Sequence, residues 1–247
     1  MTKQELHVKE MEEKYSEFIK YSKENTKFYD DSNLKIQKTK QKSNPSVILI
    51  NATTSDAIFK YAQGDQKVCA LNFASFTHPG GGYIIGSHAQ EESLCADSCL
   101  YNVLSQFPDY YAYNIKHTNN GLYENRALYS PKVVFKNTNM KAKCDILTCA
   151  SPNKNSFVDN GNENKKALKS RIKFILNIIK EEHPDIVILG AFGCGAFGQN
   201  PKAVANYFYE MIDEYLPADI KVVFAIPKSN NENYDIFSDE MLKYVKL

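Results

Sequence analysis

The sequence has no surplus of charge, no long apolar run and no paired-cysteine motif, and each absence removes a class of protein. Its 30 Lys and Arg against 29 Asp and Glu leave a formal charge of +1. Binding to long nucleic acid by counterion release needs a basic surplus, so no sequence-specific nucleic-acid binding is expected. No window approaches the roughly 18 or more apolar residues of a membrane helix, so no membrane partner is expected. The stretch MTKQELHVKEMEEKYSEF is charged throughout and lacks a signal peptide's apolar core, which gives a cytoplasmic, intracellular location as the expectation. The six cysteines (Cys69, Cys95, Cys99, Cys144, Cys149 and Cys194) then read as reduced thiols. None stands in a C-x-x-C pair, so neither a metal site nor a redox pair is expected. No internal repeat or low-complexity tract interrupts the chain.

What remains is ordinary globular composition, and 247 residues bury a core without a disulfide or metal staple. Residues 1–45 are rich in Lys, Glu and Asn. Met11, Tyr15, Phe18 and Ile19 recur there at helical spacing, which predicts a helix laid on the main body and a polar connector over 37–45. The expected organisation is an N-terminal helical extension and linker over 1–45 and one main domain over 46–247.

From Ser46 the pattern changes to short apolar runs without alternation, the mark of strands buried on both faces. They fall at 47–50, 68–73, 133–135, 146–149, 186–189 and 222–226. Helical patterns cover 89–104, 165–182, 201–215 and 234–245, with Pro184 and Pro217 just beyond two of them. Strands alternating with helices predict a three-layer α/β/α fold around a mixed, mostly parallel sheet. Such sheets bind ligands where loops leave the carboxyl ends of their strands. The two most glycine-rich segments, 80–86 and 190–198, both follow predicted strands and so belong to the same rim.

The first loop carries Gly80, Gly81 and Gly82, then Gln90, Glu91 and Glu92 at the start of the next predicted helix. Three glycines remove every Cβ from a short stretch, so backbone approaches a ligand closely and presents N–H groups as a concave cradle. A carboxyl pair beyond such a cradle places an acid beside a sugar, and glycoside cleavage needs a proton for the leaving oxygen. By themselves the two acids also suit the positive end of a helix dipole. The second loop runs strand, glycine-rich turn, helix N-terminus, an arrangement that favours a diphosphate. Gly193, Gly195 and Gly198 fit G-x-G-x-x-G, but the strand after them runs into Pro227 and Lys228 with no acid to hold a ribose hydroxyl. A dehydrogenase is therefore not expected.

Gly80-Gly81-Gly82, seven intervening residues and Gln90-Glu91-Glu92, with the flanking Leu-Asn-Phe-Ala-Ser and the later Gly-Ala-Phe-Gly-Cys-Gly-Ala-Phe-Gly, resemble the signature of poly(ADP-ribose) glycohydrolases, the bacterial-type branch in particular. The likeness covers about residues 46 to 227. The resemblance implies a macrodomain-like fold and hydrolysis of the α(1″→2′) ribose–ribose bond, with poly(ADP-ribose) or ADP-ribosylated protein as substrate and ADP-ribose as product. It implies that Glu92 acts as general acid and base while Glu91 orients the ribose. Gly80, Gly81 and Gly82 pack against diphosphate and distal ribose; Gly193, Cys194, Gly195, Ala196 and Phe197 line the diphosphate, Phe197 also packing near the distal ribose. Gln90 counts with the ligand-binding residues, and Asn72, at a strand end, takes the place of a ribose-binding Asn. No metal or redox cofactor is implied. His78, where the family more often has another polar residue, and His88 read as loop histidines without a role, and Asn51, Ala52 and Thr53 are the candidates for an adenine pocket. A non-catalytic ADP-ribose reader, or a hydrolase of mono-ADP-ribose or O-acetyl-ADP-ribose, remains the alternative, and exo- versus endo-cleavage stays open.

Overall fold

The computed structural model describes residues 1–40, 42–156, 162–228 and 232–245. Strands β1 (Lys27–Asp30), β2 (Val47–Ile50), β3 (Val68–Phe73), β4 (Arg126–Lys136), β5 (Lys141–Cys149), β6 (Ile186–Leu189) and β7 (Lys221–Ala225) form one sheet in the order β1-β4-β5-β3-β6-β7-β2. From β5 to β2 every neighbour is parallel, whereas β4 and β1 are added antiparallel at one edge.

Helices α1 (Lys3–Asn25), α2 (Thr54–Tyr61), α3 (Gln90–Ala96), α4 (Leu100–Leu104) and α5 (Pro108–Lys116) contribute to one face, and α6 (Asn162–Glu182), α7 (Pro201–Tyr215) and α8 (Asn233–Val245) cover the other. The pleat of β3 shows why both faces need cover. Val68 and Ala70 enter the layer of α2 and α4, while Cys69 and Leu71 enter that of α6 and α7. No helix among the described residues is long and apolar enough to cross a membrane.

The predicted runs at 47–50, 68–73 and 186–189 are strands with those bounds, and 201–215 is a helix with those bounds. The run 89–104 is not one helix. At 97–99 the backbone leaves the helical ladder to bond the strand beside it: Cys99 N–H donates to Val134 O at 3.0 Å and Lys136 N–H to Asp97 O at 2.8 Å. Strands β4 and β5 extend well beyond their apolar runs because they pair with each other as an antiparallel hairpin. Helix α1 begins in a capping box, Glu5 N–H donating to Thr2 Oγ1 and Thr2 N–H to Glu5 Oε2. The chain then turns into β1, whose Tyr29 hydroxyl reaches Glu182 Oε1 at 2.5 Å and whose Lys27 pairs with the same carboxylate at 2.8 Å. Residues 27–30, which carry no strand signal of their own, thus close the antiparallel edge.

Arg171 of α6 is 1% exposed and ties three segments under the rim. Its guanidinium donates to Ala150 O, to Glu124 O at 2.7 Å and to Asn125 Oδ1 at 2.8 Å. Arg171→Met leaves these buried acceptors without their charged donor and should cost about 3 kcal/mol of stability. Urea unfolding measures it, and an unchanged midpoint would contradict the assigned role.

Candidate active site

Parallel strands β5, β3 and β6 are neighbours, so the segments leaving their carboxyl ends (150–153, 74–89 and 190–200) come together. They enclose a cleft with about 630 Å³ of open space. Phe73, Ser75, Gly81, Ala89, Gln90, Glu91 and Glu92 form one side, and Ser151, Gly193, Gly195, Ala196 and Phe197 the other. The two glycine loops therefore face each other across one site.

The acid run is placed by Gln90. Phe73 N–H donates to Gln90 Oε1 at 2.8 Å, and Gln90 Nε2 donates to Leu71 O at 2.9 Å and Thr54 Oγ1 at 3.1 Å. One side-chain amide thereby bonds the last turn of β3 and fixes the first residue of α3, and Glu91 and Glu92 follow in the first helical turn, where the dipole favours carboxylates.

Glu91 is 2% exposed. Ser75 N–H donates to its Oε2 at 2.7 Å and Asn72 Nδ2 to its Oε1 at 3.1 Å. Burial pushes the carboxyl up to about 8 against the opposing pull of these donors, and the neighbouring Glu92 adds to the rise. At neutral pH the side chain is mostly uncharged, which lets two carboxyl groups stand together without full like-charge repulsion. A protonated Glu91 needs an acceptor. Asn72 Oδ1, close by, is buried and without a partner among the described residues.

Glu92 differs. Its Oε1 accepts the Gly82 N–H at 2.8 Å, and its other oxygen meets no protein donor among the described residues. The backbone passes directly over both acids at Gly81, where φ is +59° and a Cβ would lie 2.5 Å from Glu92 Oε1 and 3.1 Å from Glu91 Oε2. Only glycine fits.

In the second loop Cys194, Gly198 and Gln199 donate their N–H groups back to Ala191, Gly195 and Gly193. Among the described residues the N–H groups of Gly193, Gly195, Ala196 and Phe197 have no protein acceptor. A Cβ on Gly193 (φ +75°) would lie 2.3 Å from Ser151 Oγ, whereas one on Gly195 would meet nothing within 4 Å. The loop ends at α7, capped by Asn200 and opened by Pro201. No Lys, Arg or His lines the cleft among the described residues, so main-chain amides are its source of positive potential.

Of the residues singled out in the sequence, Gly81, Gln90, Glu91, Glu92, Gly193, Gly195, Ala196 and Phe197 line the cleft. Gly80 and Gly82 flank the lining Gly81. Asn72 stands wholly buried behind Glu91. The Cys194 thiol lies 3.7 Å from Phe192 O and is pushed up to about 12 by burial, so it stays protonated. Asn51 and Thr53 are outside this cleft, the one accepting from Lys228 N–H at 2.7 Å and the other capping α2. Sequence reasoning passed over Phe73, Ser75, Ala89 and Ser151. Ser151 had a signal, since it follows the apolar run of β5 at the same rim. Among the described residues no group of His, Cys, Asp and Glu is arranged to hold a metal ion.

A seven-stranded mixed sheet with helices on both faces and its cleft at the carboxyl rim defines a macrodomain-like α/β protein. The sequence model of the microbial-type PARG (poly(ADP-ribose) glycohydrolase) catalytic domain matches residues 2–137, and the chain belongs to that family. It is accordingly a glycoside hydrolase. The fold is similar to that of poly(ADP-ribose) glycohydrolase from Thermomonospora curvata bound to the inhibitor ADP-HPD, with TM-score 0.83, 24% identity and coverage of 96% of this chain and 98% of the other. The enzyme from Deinococcus radiodurans in complex with ADP-ribose is similar too, with TM-score 0.79, 23% identity and coverage of 91% and 97%. No curated protein matches the sequence.

The fold holds the Glu91 proton more tightly than the unfolded chain does. Its contribution to stability is full below about pH 4.5 and is lost as pH rises through about 8. The melting temperature of the native chain should therefore fall between about pH 5 and pH 9, and that of Glu91→Gln should fall less. Parallel curves for the two proteins would show that Glu91 does not carry this titration.

Proposed function

We propose that the chain hydrolyses the α(1″→2′) ribose–ribose bond of poly(ADP-ribose) and releases ADP-ribose, with Glu92 as general acid and base. One observation carries the reading: the main-chain amides of Gly193, Gly195, Ala196 and Phe197, without acceptors among the described residues, lie across a single cleft from a carboxyl that the described residues hold at one oxygen. A diphosphate seated on the amides directs its terminal ribose toward the acid pair. Glu92, steadied by the Gly82 N–H, gives a proton to the departing ribose oxygen as the glycosidic bond breaks. It then takes one from the water that attacks the oxocarbenium-like centre. Glu91, gripped at both oxygens, serves as a fixed hydrogen-bonding partner for a ribose hydroxyl. Asn72 holds Glu91 from behind, and Gln90 sets the position of both acids. The polymer, free or attached to protein, is the substrate of this reading.

Glu92→Gln keeps the Gly82 contact and removes the proton. It should lower release of ADP-ribose from the polymer by about a hundred- to ten-thousand-fold, with ADP-ribose affinity within a few fold. Activity near that of the native chain would end the assignment.

Gly195→Val adds its side chain to open space rather than to a protein neighbour. It should leave the melting temperature unchanged and abolish ADP-ribose binding. A calorimetric titration giving native affinity would remove the second loop from the site.

A further inference from the structure

We infer that Tyr123 is a positioning residue for this site, its ring fixing the Phe197 ring against the bound sugar and joining the diphosphate loop to the segment that holds the acid pair. The inference takes the ligand's identity from the glycohydrolase reading.

Tyr123 lies outside the cleft, between its two sides. Its ring stacks on Phe76, with centroids 4.3 Å apart and planes 14° from parallel. The Phe197 ring stands 6.1 Å from the same Tyr123 ring, tilted by 59°. Phe76 is 2% exposed and follows Ser75, whose N–H holds Glu91. Phe197 is on the opposite wall. Three rings thus span from the acid side of the site to the diphosphate side. The main chain repeats the connection: Asn153 N–H donates to Gly121 O at 2.7 Å, and Lys154 N–H donates to Phe197 O at 2.9 Å.

Backbone conformation adds an independent observation. Within 119–123, Asn119 (φ 46°), Asn120 (φ 52°), Gly121 (φ 86°) and Tyr123 (φ 59°) are left-handed. Asn and Gly accept this region readily, whereas a Tyr does so at a conformational cost. The turn is held by Gly121 N–H and Tyr123 N–H, both donating to Thr118 O, at 2.9 and 3.1 Å. A bulky ring here stands where glycine fits better, and strain of this kind gathers at functional sites. Ring support on the far side of Phe197 narrows the angles it samples, and a small misplacement of a sugar beside an acid is costly to turnover.

Three variants separate positioning from plain packing. Tyr123→Phe keeps the stack; Tyr123→Gly and Tyr123→Asn remove it and suit the backbone. Tyr123→Gly and Tyr123→Asn should weaken ADP-ribose binding by about fivefold or more and lower kcat on poly(ADP-ribose) by about tenfold or more, with KM changing less than kcat. Tyr123→Phe should stay within about twofold of the native chain in both. Native ADP-ribose affinity and kcat in Tyr123→Gly and Tyr123→Asn would overturn the inference, as would Tyr123→Phe impaired as deeply as Tyr123→Gly. If the native chain binds ADP-ribose but leaves the polymer intact, the glycohydrolase reading fails, and the dissociation constants alone decide for or against Tyr123.

Discussion

The side chain of Gln90 is the constraint on which the acid pair depends. A strand that ends at a sheet rim leaves main-chain groups without partners, and buried groups of that kind must be satisfied. Gln90 meets the need with one amide, accepting from Phe73 and donating to Leu71. Because the same residue opens α3, satisfying the strand end also fixes where the helix begins. Glu91 and Glu92 inherit their positions from that junction. Gly81 and Gly82 then close over the acids, one by lacking a Cβ and the other by donating its N–H.

Electrostatics makes the pair tolerable. Two ionised carboxylates a residue apart in a cleft without cations would repel each other and any anion brought near them. Burial avoids that arrangement by holding Glu91 mostly neutral at ordinary pH. The second acid lines the cleft and is held by the described residues at one oxygen. One site therefore gives two adjacent glutamates different surroundings, Glu91 buried and bonded at both oxygens, Glu92 bonded at one among the described residues.

Much of this was legible in the residues. Runs such as 68–73 and 186–189 are apolar enough to be strands buried on both faces, and they are short enough not to be helices. The glycine loops after them fell on one rim because parallel strands leave their carboxyl ends on the same side. Less visible were the pieces whose structure comes from partners. Residues 27–30 alternate too little to announce a strand and become one by pairing with β4. The break at 97–99 follows from bonds to Val134 and Lys136 that no local pattern encodes. Ser75 and Ser151 reach the cleft through neighbouring strand ends, and Tyr123 approaches it only through other rings. The raised proton affinity of Glu91 follows from its burial, which the letter sequence does not reveal.

Among the described residues no lysine or arginine lines the cleft, and this has a kinetic side. Dipoles of peptide N–H groups act over a few ångströms and leave almost no field in the surrounding solvent, and a chain of net charge +1 supplies little more. Such a field would do little to draw a charged ligand in from afar. Dissolved ions, which weaken guided association over a Debye length, have correspondingly little to screen.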